Sequence, residues 1–338
     1  MKLTHFIILS LLLLLTACSR PYERISGDTM GTQYHIAYSR AEADRELIQA
    51  TVEQLLNKVN QQMSTYIENS KLSQLNRSDS LECIPLPKEL LAVIAEAKNI
   101  HAFSNGAFDP SLAPLIELWG FDKKNTRDRI PSDNAIQQAQ KQMHFDKVTI
   151  DTSRNCLTKP TPDTSINLSA IAKGYAVDEI AKLLEQGYGV QNYLVDIGGE
   201  IKAKGQSAKK RPWRVAIEVP DAQQRKVQKV ISPGIMGVAT SGDYRNYFEK
   251  DGQRYSHTID PVTGRPITHT LASVTVLHES AMTADALATA FMVLGPERSM
   301  ALAAQHNIAV YIITKTDSGF KAEYSDSFNP YLTKVSMQ

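Results

Sequence analysis

The chain has 338 residues, a formal net charge of +1 and a hydrophobic content of 42%. This length and composition are typical of a soluble globular protein with one large domain or two modest ones. The near-zero charge and the aromatic content of 7%, without interleaved basic stripes, argue against binding to nucleic acid.

The N-terminal segment is predicted to be an export signal followed by a lipid anchor. Residues 1–17 begin with Met and Lys, continue as an almost purely apolar run and end in small residues before Cys18. Such a run is too short for a mature membrane-spanning helix and is typical of a cleaved signal peptide. Its ending resembles the lipobox of bacterial lipoproteins, so we expect Cys18 to be acylated and residues 18–28 to form a lipidated tether. A plain cleaved signal beside a chance cysteine is the alternative.

Residues 29–338 are predicted to form a single unit, whose first half is mainly helical. Met30–Tyr38 alternates as a strand does, whereas Arg45–Met63 and Leu86–Phe103 carry apolar residues at helical spacing. Residues 122–134 are polar and charged, so we expect them to form a surface loop.

The second half begins with a helix and continues mostly as strands. A third helix is predicted at Ser165–Glu185, ended by Gly187 and Gly189, and a fourth at Ala281–Leu294. Because helices mix with antiparallel hairpins and no regular βαβ repeat appears, we expect an α+β fold of mixed helices and antiparallel sheets. The strands are predicted at Asn192–Ile197, Trp213–Val219, Asn246–Lys250, Gln253–Ile259, Ala272–Leu277 and Ala309–Thr314, with Asp251-Gly252 as a hairpin turn.

Two cysteines remain after the proposed anchor, Cys83 and Cys156. In an oxidising periplasm they can form a disulfide, and two isolated buried thiols are the alternative. The sequence has no Cys-X-X-Cys motif and no Cys/His cluster, which argues against a zinc or iron–sulfur site.

The helix Ala281–Leu294 carries a carboxylate in an unfavourable place. The helix is apolar nearly all round, which indicates burial, and Asp285 stands in its middle. A buried carboxylate needs a cation, a basic partner or a proton. Thr289 lies on the same helical face, and together the two side chains offer the hard oxygen ligands that suit Mg²⁺. The alternative is that Asp285 pairs with a basic side chain and Thr289 bonds a helical carbonyl.

A polar cluster follows in the hairpin region. His257 is predicted at a strand end beside a turn, where an imidazole can serve as a general base; a structural histidine bonded to the backbone is the alternative. Ser241 lacks the G-x-S-x-G elbow of a serine nucleophile.

Two further segments have features of ligand sites. Asn105–Pro110 is a tight polar turn, which turn chemistry alone also explains. The helix that begins near Asn167 offers free N–H groups to an anion, and Lys173 adds a charge; an ordinary capped helix is the alternative. The standard Gly-rich nucleotide motifs are missing from the sequence.

Eight segments, spread in order from about residue 28 to 315, together resemble the ApbE family. No segment is decisive alone, but the ordered set is specific. The segments are Met30-Gly31-Thr32, Met63–Tyr66, Gly106–Pro110, Ala170–Asp178, Asp196–Glu200, Thr240–Tyr244, Tyr255–Gly264 and Ala284–Thr289.

The resemblance implies an ApbE-like catalytic unit, related to the T-fold, with a flavin-nucleotide cleft. It implies a Mg²⁺-dependent FAD:protein FMN transferase, for which FAD is a substrate. Such an enzyme cleaves the diphosphate of FAD, attaches FMN through a phosphoester bond to a Thr or Ser hydroxyl of a target flavoprotein, and releases AMP.

The resemblance also implies partners and a location. The implied acceptors are flavin subunits of the Na⁺-translocating NADH:quinone oxidoreductase or of the related Rnf complex. Many bacterial members are lipoproteins, which fits an anchor on the periplasmic side of a bacterial membrane. This function favours the inner membrane, whereas Ser19 after the acylated cysteine permits delivery to the outer membrane.

Matched residue by residue, the resemblance implies metal ligation by the Asp285 and Thr289 side chains and the Ala170 carbonyl. Ala288 stands at a further metal position of some members, where an acidic side chain reaches the ion and alanine does not. His257 matches the residue that activates the acceptor hydroxyl. The flavin-nucleotide contacts match Met30, Tyr66, Ala107, Phe108, Asp109, Asn167, Lys173 and the backbone at Ile259; members commonly have Asp where Asn167 stands.

Two other functions remain open at the level of sequence. With water as the acceptor, the same site is a Mg²⁺-dependent FAD pyrophosphatase that gives FMN and AMP. A non-catalytic flavin-binding lipoprotein is the second alternative, and it requires neither Asp285 with Thr289 nor a base at His257.

Overall fold

The computed structural model describes residues 22–121, 130–221, 226–242, 247–250 and 253–333. The predicted export signal, Cys18 and Ser19 lie outside the described residues, as do the Asp251-Gly252 turn and residues 122–129 of the predicted surface loop. Asp243 and Tyr244 of the polar cluster also lie outside them. In the described ranges no helix has both the length and the apolar character needed to cross a membrane.

An eight-stranded antiparallel sheet forms the centre of the domain. Its order is β1-β2-β6-β7-β10-β15-β16-β17, so β1 and β17 are the edges. Most connections join antiparallel neighbours, which confirms the predicted α+β fold. The strands are β1 Tyr22–Thr29, β2 Thr32–Ser39, β6 Tyr193–Ile197, β7 Glu200–Lys204, β10 Gly237–Gly242, β15 Leu271–His278, β16 Ala309–Thr316 and β17 Gly319–Tyr324.

Helices cover one face of this sheet and form the main core with it. The central helix α7, Ala281–Leu294, is buried almost all round because small alanines let its neighbours approach closely. The helices are α1 Arg45–Met63, α2 Lys71–Arg77, α3 Lys88–Phe103, α4 Ala113–Leu118, α5 Asp133–Gln140, α6 Ala172–Lys182, α7 Ala281–Leu294 and α8 Pro296–Gln305.

A thinner layer covers part of the other face. The hairpin of β8 and β9, Val215–Glu218 and Val227–Ile231, packs its apolar side against β10 and β16. The short 3₁₀ turn Asp326–Tyr331 adds Phe328 to the same cluster. Helices therefore lie on one side of the sheet and a small hairpin on the other.

Short elements complete the domain beside the helical layer. Cys83 and Cys156 form a disulfide that joins the small three-stranded sheet, so the pairing that the sequence left open is present. The predicted hairpin around residues 251–252 is confirmed by the pairing of its two strands. The strands concerned are β3 Ile84–Pro85, β4 Thr149–Asp151, β5 Cys156–Thr158, β11 Tyr247–Lys250, β12 Gln253–Ser256, β13 Ile259–Asp260 and β14 Arg265–Pro266.

The structure corrects the predicted tether. Residues 18–28 were predicted to link the anchor to the domain, but strand β1 already begins at Tyr22. Its residues pair with β2 along its whole length, and Ile25 lies in the main core. The alternation of buried and exposed residues is the signal that identifies this segment as a strand.

The third predicted helix is shorter than Ser165–Glu185. The α-helix begins at Ala172, because part of the preceding backbone bonds to other segments. The N–H of Asn167 donates to the Pro110 carbonyl at 2.8 Å, and the N–H of Ile166 donates to the Asn76 side chain at 2.8 Å. The helix therefore starts later, and the segment before it is free to line a cavity.

Candidate functional site

A cavity of about 370 Å³ opens beside α7 and gathers most of the predicted site residues. It lies where the start of α6, the end of β10, the 107–110 turn and the 257–259 segment meet. A larger crevice of about 690 Å³ elsewhere on the domain contains none of the predicted residues. The predicted residues that line the smaller cavity are Ala107, Phe108, Asp109, Asn167, Ala170, Lys173, His257, Ile259, Asp285 and Thr289.

Three predicted residues do not line this cavity. Met30 lies in the β1–β2 turn with φ of 49° and packs against the main core, and Tyr66 has a side chain that is mostly exposed. Ala288 is fully buried because it stands outside the stripe of α7 that faces the cavity, which carries Asp285 and Thr289. The methyl side chain of Ala288 provides no metal ligand at this predicted position.

Two buried carboxylates share one ammonium at the floor of the cavity. Asp285 is 4% exposed and Glu200 is 3% exposed. The Lys173 ammonium donates a hydrogen bond to Glu200, and Asp285 accepts one from the backbone N–H of Gly174 at 3.0 Å. With all three groups ionised the cluster carries one excess negative charge, which is costly in a buried place.

Burial raises the pKa of both carboxyl groups. For Glu200 the loss of solvation is reinforced by the nearby Asp285 charge, and the Lys173 ammonium opposes both effects. For Asp285 burial also dominates over the favourable Lys173 charge and the Gly174 hydrogen bond. Burial lowers the pKa of Lys173, but the attraction of Glu200 and Asp285 outweighs it, so that pKa is raised. The site thus favours a proton or an added cation.

The contacts of Asp285 and Thr289 bear on the alternative roles that the sequence left open for them. A basic side chain does lie near Asp285, but Lys173 is bonded directly to Glu200 and one negative charge remains. The Thr289 hydroxyl is hydrogen-bonded to the hydroxyl of Ser241 on β10, at 3.1 Å. Both hydroxyls and the Asp285 carboxylate therefore face a cavity, as a ligand site requires.

Close packing between α6 and α7 holds this arrangement in place. A Cβ on Gly174 would come within 2.2 Å of the Ala281 carbonyl oxygen, so only glycine permits this approach. Asp178, one turn further along α6, caps the start of α7. Its carboxylate accepts hydrogen bonds from the Ser280 hydroxyl and from two backbone N–H groups, those of Ala281 and Met282.

Two turns form the opposite wall. The Asp109 carboxylate accepts from the Ser111 N–H at 2.7 Å and from its hydroxyl at 2.6 Å, which fixes the 107–110 turn. Asn167 is tied to that turn by its backbone bond to Pro110, and its side-chain oxygen accepts from the Ser169 N–H at 2.9 Å. Turn chemistry is therefore present, and it serves to build the cavity wall.

His257 occupies a break between β12 and β13. The strand predicted over Gln253–Ile259 is interrupted there, because the Ser256 hydroxyl accepts from the Thr258 N–H at 3.1 Å. The half-buried imidazole lies edge-on to Phe121, with ring centroids 6.5 Å apart, and lines the cavity. It is placed to exchange a proton with a bound molecule.

The donor set suits a hard cation that also binds phosphate. Over the part of the chain that the structure describes, no group of three His, Cys, Asp or Glu residues is arranged to hold a metal ion. The cavity is instead lined by Asp285, Thr289 and Ala170, which carry a carboxylate, a hydroxyl and a backbone carbonyl as oxygen donors. Mg²⁺ is commonly held by one or two carboxylates, with waters and substrate phosphates completing its shell.

Three residues without a role in the sequence prediction contribute to the site. Glu200 and Ser241 line the cavity, and each stands beside a glycine in the sequence. Asp178 contributes from outside the cavity lining, by capping the start of α7. The pairing of β7 with β10 and the α6–α7 contact bring these residues into place.

Comparison with known proteins identifies the family. The ApbE family model matches residues 30–312. The chain belongs to the ApbE family. The FAD:protein FMN transferase of Vibrio cholerae is 47% identical over 330 residues, covering 96% of this chain and 98% of that protein. The Escherichia coli K12 protein of the same name is 37% identical, with 91% and 88% covered.

Solved structures of the ApbE family have the same fold. The flavin transferase ApbE of Vibrio cholerae has a TM-score of 0.84 at 45% identity, covering 92% of this chain and 99% of that one. The ApbE protein of Thermotoga maritima has a TM-score of 0.81 at 29% identity, with 93% and 100% covered. Like these ApbE relatives, this chain is an enzyme of the transferase class.

Proposed function

We propose that this ApbE-family enzyme transfers FMN from FAD to a Thr or Ser hydroxyl of a target flavoprotein, with Mg²⁺ as cofactor and AMP as the second product. The observation that carries the proposal is the excess negative charge of Asp285 and Glu200 over Lys173 beside an open cavity. A divalent cation held there would compensate both that charge and the diphosphate of a bound dinucleotide. The names of the relatives support the same reaction.

The cavity wall provides recognition for the dinucleotide. Apolar groups of Phe108 and Ile259 offer surface to an aromatic ring, and Asn167 offers an amide to its polar edge. The N-terminus of α6, at the cavity, presents the positive end of the helix dipole toward an anion. These groups orient FAD with its diphosphate near the floor of the cavity.

Three oxygen donors would hold Mg²⁺: the Asp285 carboxylate, the Thr289 hydroxyl and the Ala170 carbonyl. The bound ion would supply charge neutralisation at the diphosphate. Ser241 positions the Thr289 hydroxyl through their hydrogen bond, and Gly174 orients the Asp285 carboxylate. Lys173 keeps Glu200 compensated, so that one carboxylate remains for the ion.

His257 then acts as the general base of the transfer. Its imidazole takes the proton from the acceptor hydroxyl, which is a weak nucleophile at its ordinary pKa. The hydroxyl oxygen forms a new bond to the FMN phosphorus, and the bond from that phosphorus to the bridging oxygen breaks. AMP leaves with the bridging oxygen, and the proton passes from His257 to solvent. No covalent enzyme intermediate is needed.

The partners and the location are part of the proposal. The acceptors are flavin subunits of the Na⁺-translocating NADH:quinone oxidoreductase or of the Rnf complex. Acylation of Cys18 holds the enzyme on the periplasmic side of a bacterial membrane. An anchor in the inner membrane brings it close to such acceptors. The lipobox-like ending of the export signal supports this placement.

One experiment separates the three candidate functions. The full protein is incubated with FAD, Mg²⁺ and an acceptor subunit, and flavin fluorescence is followed on a denaturing gel. A fluorescent acceptor band that requires both Mg²⁺ and the acceptor threonine is the expected result. Free FMN and AMP without that band would identify a pyrophosphatase, and unchanged FAD would identify a binding protein.

A further inference from the structure

The loop between β7 and β8 is a small, well-defined hairpin with a basic tip, Gln206–Pro212. Gln206 and Pro212 form an isolated antiparallel bridge. The Ser207 N–H donates to the Arg211 carbonyl at 2.8 Å, and the Lys210 N–H donates to the Ser207 carbonyl at 2.8 Å. Lys210 has φ of 55°, so the turn is tight. We refer to this element as the basic hairpin.

The tip of the basic hairpin presents three exposed cations, Lys209, Lys210 and Arg211. Across the ranges that the structure describes, these three side chains form no ion pair. The contrast is Lys204 at the base of the same loop, whose ammonium is bonded to Glu185 at 2.5 Å. The cations at the tip are therefore available to an external anion.

The N-terminal edge of the sheet is fastened to the basic hairpin. The Tyr22 hydroxyl donates to the Gln206 carbonyl, and the Tyr22 ring meets Trp213 edge-on with centroids 5.9 Å apart. The Trp213 indole N–H in turn donates to the Lys204 carbonyl at 3.0 Å. Tyr22, the first residue of β1, is thus held against the base of the basic hairpin, which carries the three cations at its tip.

The proposed lipid anchor is close to Tyr22 along the chain. Four residue steps separate Cys18 from Tyr22, and even a fully extended chain spans only about 14 Å over that length. Because β1 already includes Tyr22, the proposed anchor is separated from the folded domain by fewer residues than the predicted tether of eleven. The basic hairpin is therefore kept within reach of the bilayer surface.

We propose that the basic hairpin binds anionic phospholipid headgroups and holds the domain with this edge toward the membrane. The inference rests on the proposed acylation of Cys18, and it adds a second, electrostatic contact. Lys and Arg near an anionic leaflet each strengthen binding, and a lipid chain combined with a basic patch is a common two-signal anchor. Tyr22 and Trp213 have the amphipathic rings that favour the headgroup region.

Trp213 provides a direct test, since the chain has only two tryptophans and the other, Trp119, is 1% exposed. The processed full-length lipoprotein is reconstituted in phosphatidylcholine vesicles with or without phosphatidylglycerol. Quenching of tryptophan fluorescence by brominated phospholipids is then measured. We expect at least about twofold stronger quenching with phosphatidylglycerol, and we expect added salt to remove the difference.

Two matched triple variants assign the effect. K209Q/K210Q/R211Q removes the three cations of the basic hairpin and should lose the dependence on phosphatidylglycerol. K71Q/R77Q/K88Q removes two lysines and one arginine that are exposed on α2 and α3, and it should keep that dependence.

Other outcomes would overturn the proposal. Equal quenching in both vesicle types, or none, would show that this edge does not recognise anionic lipid. Unchanged quenching in the hairpin variant, together with slower FMN transfer, would identify the patch as an acceptor-binding surface instead. Mass spectrometry of Cys18 tests the anchor separately, and FMN transfer in detergent tests the proposed function independently of both.

Discussion

The Asp285 carboxylate and the backbone N–H of Gly174 are joined by a 3.0 Å hydrogen bond across the α6–α7 contact. This bond exists because Gly174 lets the two helices approach until its Cα lies against the Ala281 carbonyl. It orients a buried carboxylate toward the cavity while leaving its charge only partly compensated. The chemistry of the site thus depends on a glycine that carries no functional group.

Gly174→Ala should destabilise the protein and displace Asp285. The added methyl would lie 2.2 Å from a backbone oxygen, so α6 and α7 must separate, at a cost of about 1–3 kcal/mol in the free energy of unfolding. Urea denaturation measures this change. Gly187→Ala is the control, because its new methyl would meet only the flexible end of Leu183 at 3.2 Å. Equal stability of Gly174→Ala and the wild type would refute the packing argument.

Asp285→Asn should abolish FMN transfer while leaving the fold intact. The amide keeps the shape of the side chain but removes the charge that attracts Mg²⁺, and we expect a loss of more than about 100-fold in activity. Thr289→Ser, which keeps the hydroxyl, should retain most activity. Mg²⁺-dependent thermal stabilisation in the presence of FAD gives a second readout. Normal transfer by Asp285→Asn would remove the metal assignment.

Glu200 should make stability without Mg²⁺ depend on pH. Its folded-state pKa is raised, mainly by burial, above the unfolded value of about 4.3. Between those two pKa values the unfolded chain has lost the proton that the folded protein retains, so stability falls as pH rises through that window. Urea midpoints measured from pH 4 upward should show this fall, and Glu200→Gln should flatten it. A wild-type curve that rises instead would contradict the assigned direction.

His257→Ala should slow transfer by about 10²–10⁴-fold, because the acceptor hydroxyl loses its base. The acidic limb of the pH–rate profile should disappear in the variant, whereas FAD affinity should change little. His306→Ala, at an exposed position outside the site cavity, is the matched control. A variant that keeps the wild-type rate at every pH would leave His257 with a structural role only.

Removing the disulfide should cost about 2–4 kcal/mol of stability, because Cys83 and Cys156 close a long loop across 73 positions. The double variant C83A/C156A should therefore unfold at lower urea concentration than the oxidised protein. A reducing agent should lower the urea midpoint of the wild type to that of the variant, and it should leave the midpoint of the variant unchanged. If reduction has no effect on the wild type, the link does not contribute to stability.

The local signals in the sequence identified most of the long elements correctly. Helical spacing placed α1 and α7 with the bounds that the structure has, and the strands predicted at Ala272–Leu277 and Ala309–Thr314 match β15 and β16 within two residues. The predictions failed where tertiary contacts overrode the local pattern. Asn167 bonds to Pro110 and delays the start of α6, and the Ser256 hydroxyl interrupts the strand that carries His257.

The sequence by itself determined that Asp285 would be buried and in need of a positive partner. The helix that carries it is apolar on nearly every face, so it is buried whichever elements pack against it. It also determined the family, because the resemblance rests on the order of eight segments along the chain and not on the predicted bounds of any helix or strand. Only the tertiary structure decided which groups share that carboxylate's surroundings. Lys173, Glu200 and Ser241 come from separate elements, and their distances from Asp285 follow from sheet pairing and helix packing, which no local pattern encodes.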